Sequence, residues 1–261
     1  MLLINFSDKL KLCASISRPN AEPQTVSSNI QRQHMDNKLL KLVDDYSDEF
    51  NDWIKIIKDH NTMFNPEKKL SQDEQSDLVF KTVDVLAQIA EIFFKYGSFK
   101  DTFDTSKMHL NVYGLNLIIK STKTENQFNF GIDNKGIYLD TYLRHSENLR
   151  HMDDSFYKDI FLLMDLGDFE LQENQFYSNQ TTNKYALLYN NKKSKIFRLL
   201  RNYIVGTAEN ESDILLGNFF IQWSYDKDFY DVIYNGCLAF KTFYKLNYSL
   251  WKIYDIEKKK N

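Results

Sequence analysis

The chain has 261 residues, 43% hydrophobic and 26% charged, with a formal net charge of −3; it is long enough for a sizeable core and has no overall attraction to nucleic acid or anionic membrane. Its only cysteines, Cys13 and Cys237, exclude a disulfide scaffold, and no four-ligand Cys/His zinc pattern can be assembled. With 3 Pro and 8 Gly beside 20 Phe and 16 Tyr, the chain is not a disordered or loop-dominated one.

Residues 1–35 read as an N-terminal arm and flexible connection. Leu2, Ile4 and Phe6 alternate, and Arg18–Gln33 is polar, holds Pro19 and Pro23, and lacks periodicity. Met1–Asp8 shows no basic region followed by an apolar core, so no signal peptide is expected. No apolar run approaches the ~20 residues of a membrane span. The expectation is a cytoplasmic protein with no membrane partner. Abundant Asn, Lys, Phe and Tyr beside few Ala match an AT-rich coding sequence, as in low-GC bacteria, phage or mobile elements.

Residues 36–261 read as a single α+β domain: a helical hairpin over 36–106, a β-meander over 107–142 and a mainly helical remainder over 143–261. From Asp36 one helix is predicted, with Leu39, Val43, Tyr46, Phe50, Trp53, Ile54 and Ile57 at spacings of three and four. Its far side carries Asp45, Asp48, Glu49 and Asp52, a solvated face. Asn65-Pro66 ends that region. Ser71–Glu74 is a capping box opening a second helix, which Tyr96-Gly97 closes. Val79, Val83, Leu86, Ala90 and Phe93 form its apolar stripe.

The meander is the part whose local chemistry is most explicit. Asp133-Asn134-Lys135-Gly136 has Asp to cap its own turn and Gly to take a left-handed conformation. Folding there sets Ile132 opposite Ile137, Phe130 opposite Leu139 and Phe128 opposite Thr141. Strands are predicted at about 108–121, 126–133 and 136–142, with the phase slip at Gly114 read as a bulge. One face is apolar, and the helical hairpin is its natural cover.

Beyond the meander, Ser155–Leu166 reads as a helix and Asp168–Tyr177 as a strand. Ser178–Lys184 is a polar loop, and Lys195–Val205 a helix. Leu215–Trp223 is compatible with helix or strand. Phe229 to Tyr254 keeps helical spacing over several turns, with an aromatic stripe assigned to the core, and Lys258–Lys260 suits a helix C-terminus.

Signatures of catalysis are sparse. There is no Gly-rich phosphate cradle and no Gly-x-Ser-x-Gly elbow, and neither cysteine sits in a nucleophile setting. No cofactor and no metal centre are expected. Asp165 and Glu170 offer carboxylates for a divalent-metal nuclease, but Gln172 stands where such enzymes place Lys. His109, His145, His151, Asp153 and Asp154 lack the spacing of a helix-borne metal site.

In Arg144-His145-Ser146-Glu147-Asn148-Leu149-Arg150-His151 six residues stand between Arg144 and His151. This resembles the loose Arg–His motif of HEPN-type ribonucleases, which are all-helical, whereas here the motif follows a predicted hairpin. The resemblance implies a metal-independent ribonuclease in which His151 works on a 2′-hydroxyl and Arg144 steadies the phosphate. A polar strand-to-helix crossing has the same composition.

The remaining feature is basic: Lys192, Lys193, Lys195, Arg198 and Arg201, interleaved with Phe197 and Tyr203. On a helix these cations offer a face to an acidic protein or, locally, to a phosphate backbone. The expected function is that of a non-enzymatic, macromolecule-binding accessory protein with a protein partner. The two nuclease readings are the alternatives.

Overall fold

The computed structural model describes residues 36–63, 70–111, 114–172, 192–208 and 216–260. The chain divides into two units, Met1–Asn37 and Lys38–Asn261. The second holds the sheet and its helices, save the first residue of α1. In chain order these are α1 (Asn37–Asp44), α2 (Phe50–Thr62), α3 (Gln72–Gly97), β1 (Phe103–Asn111), β2 (Gly114–Ser121), β3 (Gln127–Asp133), β4 (Gly136–Tyr142), α4 (Asp154–Leu162), β5 (Asp168–Gln172), α5 (Lys192–Ala208), β6 (Asn218–Ser224) and α6 (Phe229–Lys258). The architecture is α+β. Among the described residues no helix is long and apolar enough to cross a membrane. The N-terminal arm, the Asn65-Pro66 stop, the loop 178–184 and the end of the strand expected to Tyr177 lie outside the described residues.

The sheet is antiparallel throughout; where the sequence predicts three strands or slightly more, the described residues form six, in the order β1-β2-β3-β4-β6-β5. Its centre keeps the predicted register, with Phe128 opposite Thr141, Phe130 opposite Leu139 and Ile132 opposite Ile137. The Asp133 carboxylate caps its turn, accepting from the Lys135 N–H at 2.7 Å and the Gly136 N–H at 3.0 Å.

Three expectations are corrected here. The stretch 108–121 is two strands, because Asn111 pairs with Gly114 and Leu110 with Leu115. A bulge and a reversal both return the apolar residues to one face, so alternation alone did not separate them. Gly136 does not have a positive φ. It is required because a Cβ there would stand 2.0 Å from the Trp223 carbonyl oxygen of β6. Gly97 is the last residue of α3, and Ser98 takes the left-handed cap at φ 49°. A Cβ on Gly97 would strike the Phe99 ring at 2.0 Å.

The first expected helix is likewise interrupted. Between α1 and α2 the chain tightens into three-residue bonds, Tyr46 to Val43 and Ser47 to Asp44, and the Ser47 hydroxyl donates to the Asp44 carbonyl at 2.8 Å. The capping box of α3 forms as predicted, with the Glu74 N–H donating to the Ser71 hydroxyl and the Ser71 N–H to the Glu74 carboxylate.

Helices α3 and α6 close the apolar face. Phe93 packs on Phe130 with ring centroids 5.0 Å apart, and Phe240 on Phe128 at 5.0 Å. The aromatic stripe of α6 is core, as expected: Phe240 and Phe243 are fully buried. Asn247, also fully buried, ties α6 to the end of β4 through the Thr141 hydroxyl at 3.2 Å. Segment 215–223, undecided from periodicity, supplies β6, whose Phe219, Ile221 and Trp223 extend the same apolar face.

Candidate functional site

Helix α5 forms because Ile196, Leu199, Leu200 and Tyr203 recur at helical spacing and are buried. It begins at Lys192, three residues before the predicted start, and runs to Ala208. The Tyr203 and Ser146 hydroxyls lie 2.7 Å apart, tying the helix to the turn after β4. The buried stripe turns the rest of the helix outward. Lys193, Lys195 and Arg201 are exposed. Phe197 is 56% and Val205 50% exposed. Lys193, Phe197, Arg201 and Val205 are spaced by four, so cations and apolar groups alternate along one stripe.

Among the described residues, Lys193, Lys195 and Arg201 have no ion pair. Arg198, expected with them, is half-buried and already has a partner. Lys193, Lys195 and Arg201 share the exposed side of the helix with Phe197 and Val205, and the Lys192 side chain lies outside the described residues.

The Arg144–His151 segment is built differently. Arg144 reaches the tip of the β2–β3 connection, donating to the Glu125 carboxylate at 2.7 Å and the Glu125 carbonyl at 3.3 Å. Ser146–His151 is a 3₁₀ helix. His151 lies exposed at its end, where its Nε2 accepts from the Arg150 Nε at 3.1 Å. No hydrogen bond or ion pair joins Arg144 to His151. Between them the segment locks elements together. Asn148 donates to the Leu250 carbonyl of α6, Leu149 is buried, and Tyr157 of α4 donates to the Leu149 carbonyl at 2.7 Å. His145, with φ of 61°, stacks on Tyr254 at 4.0 Å, and burial holds its pKa below the ordinary value.

Asp165 sits exposed in a short 3₁₀ turn after α4. Glu170 is exposed on β5, where it accepts from the Gln172 amide at 3.1 Å. Among the described residues no three His, Cys, Asp or Glu side chains gather as metal ligands.

Sequence reasoning passed over the second face of the sheet. Strand alternation puts Asn116, Asn129, Tyr138, Asp140, Phe220 and Gln222 there. The amides run in a relay: Gln127 and Asn116 donate to the Asn129 oxygen, and the Asn129 amide donates to the Asp140 carboxylate at 2.8 Å. Burial raises the Asp140 pKa to about 6 against the opposing pull of that hydrogen bond. Tyr138 and Phe220 stack beside it at 5.4 Å. The Tyr138 hydroxyl is pushed upward by burial and then by the charges of Asp140 and Asp133. The signal available was an acid between two tyrosines on the polar phase of a strand. Its central position depended on β6.

Comparison with protein-family models, with curated proteins and with solved structures finds no match for this chain.

Proposed function

We propose that the protein is a binding protein that docks an acidic, partly apolar protein segment on α5. The observation that carries this reading is the exposed stripe Lys193–Phe197–Arg201–Val205, flanked by Lys195, whose three cations have no ion pair among the described residues. Unpaired cations cost little in water and steer an acidic partner, and exposed Phe and Val gain only when something covers them. In a chain of net charge −3 this is a local patch, and its apolar members at helical spacing fit an amphipathic segment better than a phosphate backbone. Its role is accessory, with no reacting group at the stripe.

The experiment is fluorescence anisotropy with a labelled acidic amphipathic peptide and, separately, a labelled single-stranded RNA. Peptide binding should weaken with salt and fall about tenfold in a Lys195→Glu, Arg201→Glu double variant whose fold is unchanged. Equal binding by parent and variant overturns the reading, as does tighter binding of the RNA. The same RNA, incubated with EDTA, addresses the ribonuclease alternative, whose support is the residue types of Arg144 and His151. Cleavage that survives EDTA and spares a 2′-deoxy strand would favour it. Cleavage only on adding a divalent ion would favour the Asp165–Glu170 alternative.

A further inference from the structure

A cavity of about 100 Å³ opens between α2, the ends of β4 and β6, and the start of α6. Its floor is apolar. Ile57, Ile137 and Val232 line it and are 2%, 4% and 4% exposed. Lys58 and Lys227 complete the lining from the solvent side. Among the described residues neither lysine has an ion pair or a side-chain hydrogen bond. Acids stand beside both lysines in sequence: Asp59, which has a partner of its own, follows Lys58, and Asp226 and Asp228 flank Lys227. Asp226 accepts from the Ser224 hydroxyl, and Asp228 caps α6 through the N–H groups of Tyr230 at 2.8 Å and Asp231 at 3.4 Å. Tyr225, also in the lining, is held by its hydroxyl to the Asp133 carbonyl at 2.6 Å, which fixes that wall.

Size and chemistry narrow the occupant. Nucleotides and drug-sized ligands occupy about 300 Å³ or more, so they do not fit. A closed apolar cavity of about 150 Å³ holds benzene, so this smaller, open one takes a ring or short chain whose polar end stays at the mouth. Two ammonium groups without a contact ion pair at that mouth, Lys58 and Lys227, the second also feeling the charge of Asp226, favour an anion there. We infer that the cavity binds a small apolar carboxylate, an aryl or short-chain fatty acid. Its carboxylate meets Lys58 and Lys227, and its hydrocarbon rests on Ile57, Ile137 and Val232. This site is separate from α5 and does not depend on the docking reading.

The test is a titration of the full chain with benzoate and with hexanoate, followed by the isoleucine and valine methyl resonances. Benzyl alcohol is the uncharged control. Saturable shifts are expected at Ile57, Ile137 and Val232. In a Lys58→Gln, Lys227→Gln variant benzoate affinity should fall about tenfold while benzyl alcohol affinity stays the same. Both lysines are exposed, so the methyl spectrum itself reports that the variant is folded. Absence of saturable shifts at these methyls in the parent overturns the proposal. Undiminished benzoate binding in the double variant does so equally.

Discussion

The two faces of the central sheet are made by alternate residues of the same strands, yet they are finished by different physics. On one face Leu117, Phe130, Leu139 and Ile221 are almost fully buried beneath α3 and α6. Dispersion and removal of apolar area from water hold it together. On the other face Asn116, Asn129, Gln222, Asp133 and Asp140 satisfy one another by hydrogen bonds, with Tyr138 and Phe220 stacked among them. The first face is closed by neighbours distant in sequence. The second is closed by neighbours across the strands, and it keeps a titrating group, Asp140, within it. The difference teaches where stability resides and where change is tolerated.

The helix-covered face should be the more fragile. Phe240 is fully buried and touches the rings of Phe93, Phe94, Phe99, Phe103 and Phe128. Phe240→Ala should cost about 4 kcal/mol, read from the denaturant midpoint. A loss below about 1 kcal/mol would mean that α6 is not what closes this face.

A smaller loss is expected where strands crowd. Gly136→Ala places a Cβ against the Trp223 carbonyl, so β6 must shift away from β4. The expected cost is about 2 kcal/mol, from displaced backbone rather than a left-handed penalty. Hydrogen exchange distinguishes the two causes: the Gly136–Ser224 end of the β4–β6 ladder should lose protection. If protection falls only at residues 133–135, the close approach is misassigned.

The polar face should respond with the opposite sign. Asp140 has a pKa of about 6 in the folded chain, above its ordinary 3.8. The folded state therefore holds this proton more tightly. Its contribution is fully present below about pH 4 and is lost as pH rises through about 6. Asp140→Asn keeps the neutral form at every pH. It should raise stability by up to about 2 kcal/mol near pH 7, a few degrees in Tm, and change nothing near pH 4. His60 and His145, held below their ordinary value by burial, pull in the other direction as pH falls. The readout is accordingly the difference between variant and parent. A pH-independent difference would remove Asp140 from the account.

Much of this was legible in residues close together in the chain. The Asp133 turn, the β3–β4 register and the Ser71 capping box follow from side chains that meet partners nearby in the chain, and the stripe of α6 was legible as a periodicity although its partners are distant. The candidate docking stripe was half legible. Periodicity placed its cations on a helix, but only packing showed that Arg198 is engaged while Phe197 and Val205 stand exposed.

Alternation states which face a residue occupies and is silent about which strand lies beside it. The sequence by itself therefore determined the local turns, caps and apolar faces. Tertiary structure decided that β6 enters between β4 and β5, that Gly114 follows a reversal and that Gly136 is needed for closeness. It also set Asp140 at the end of a polar relay across three strands, and two lysines over an apolar cavity. Each of these depends on segments far apart in the chain, and the free energy of bringing them together belongs to the whole core rather than to any run of neighbouring residues.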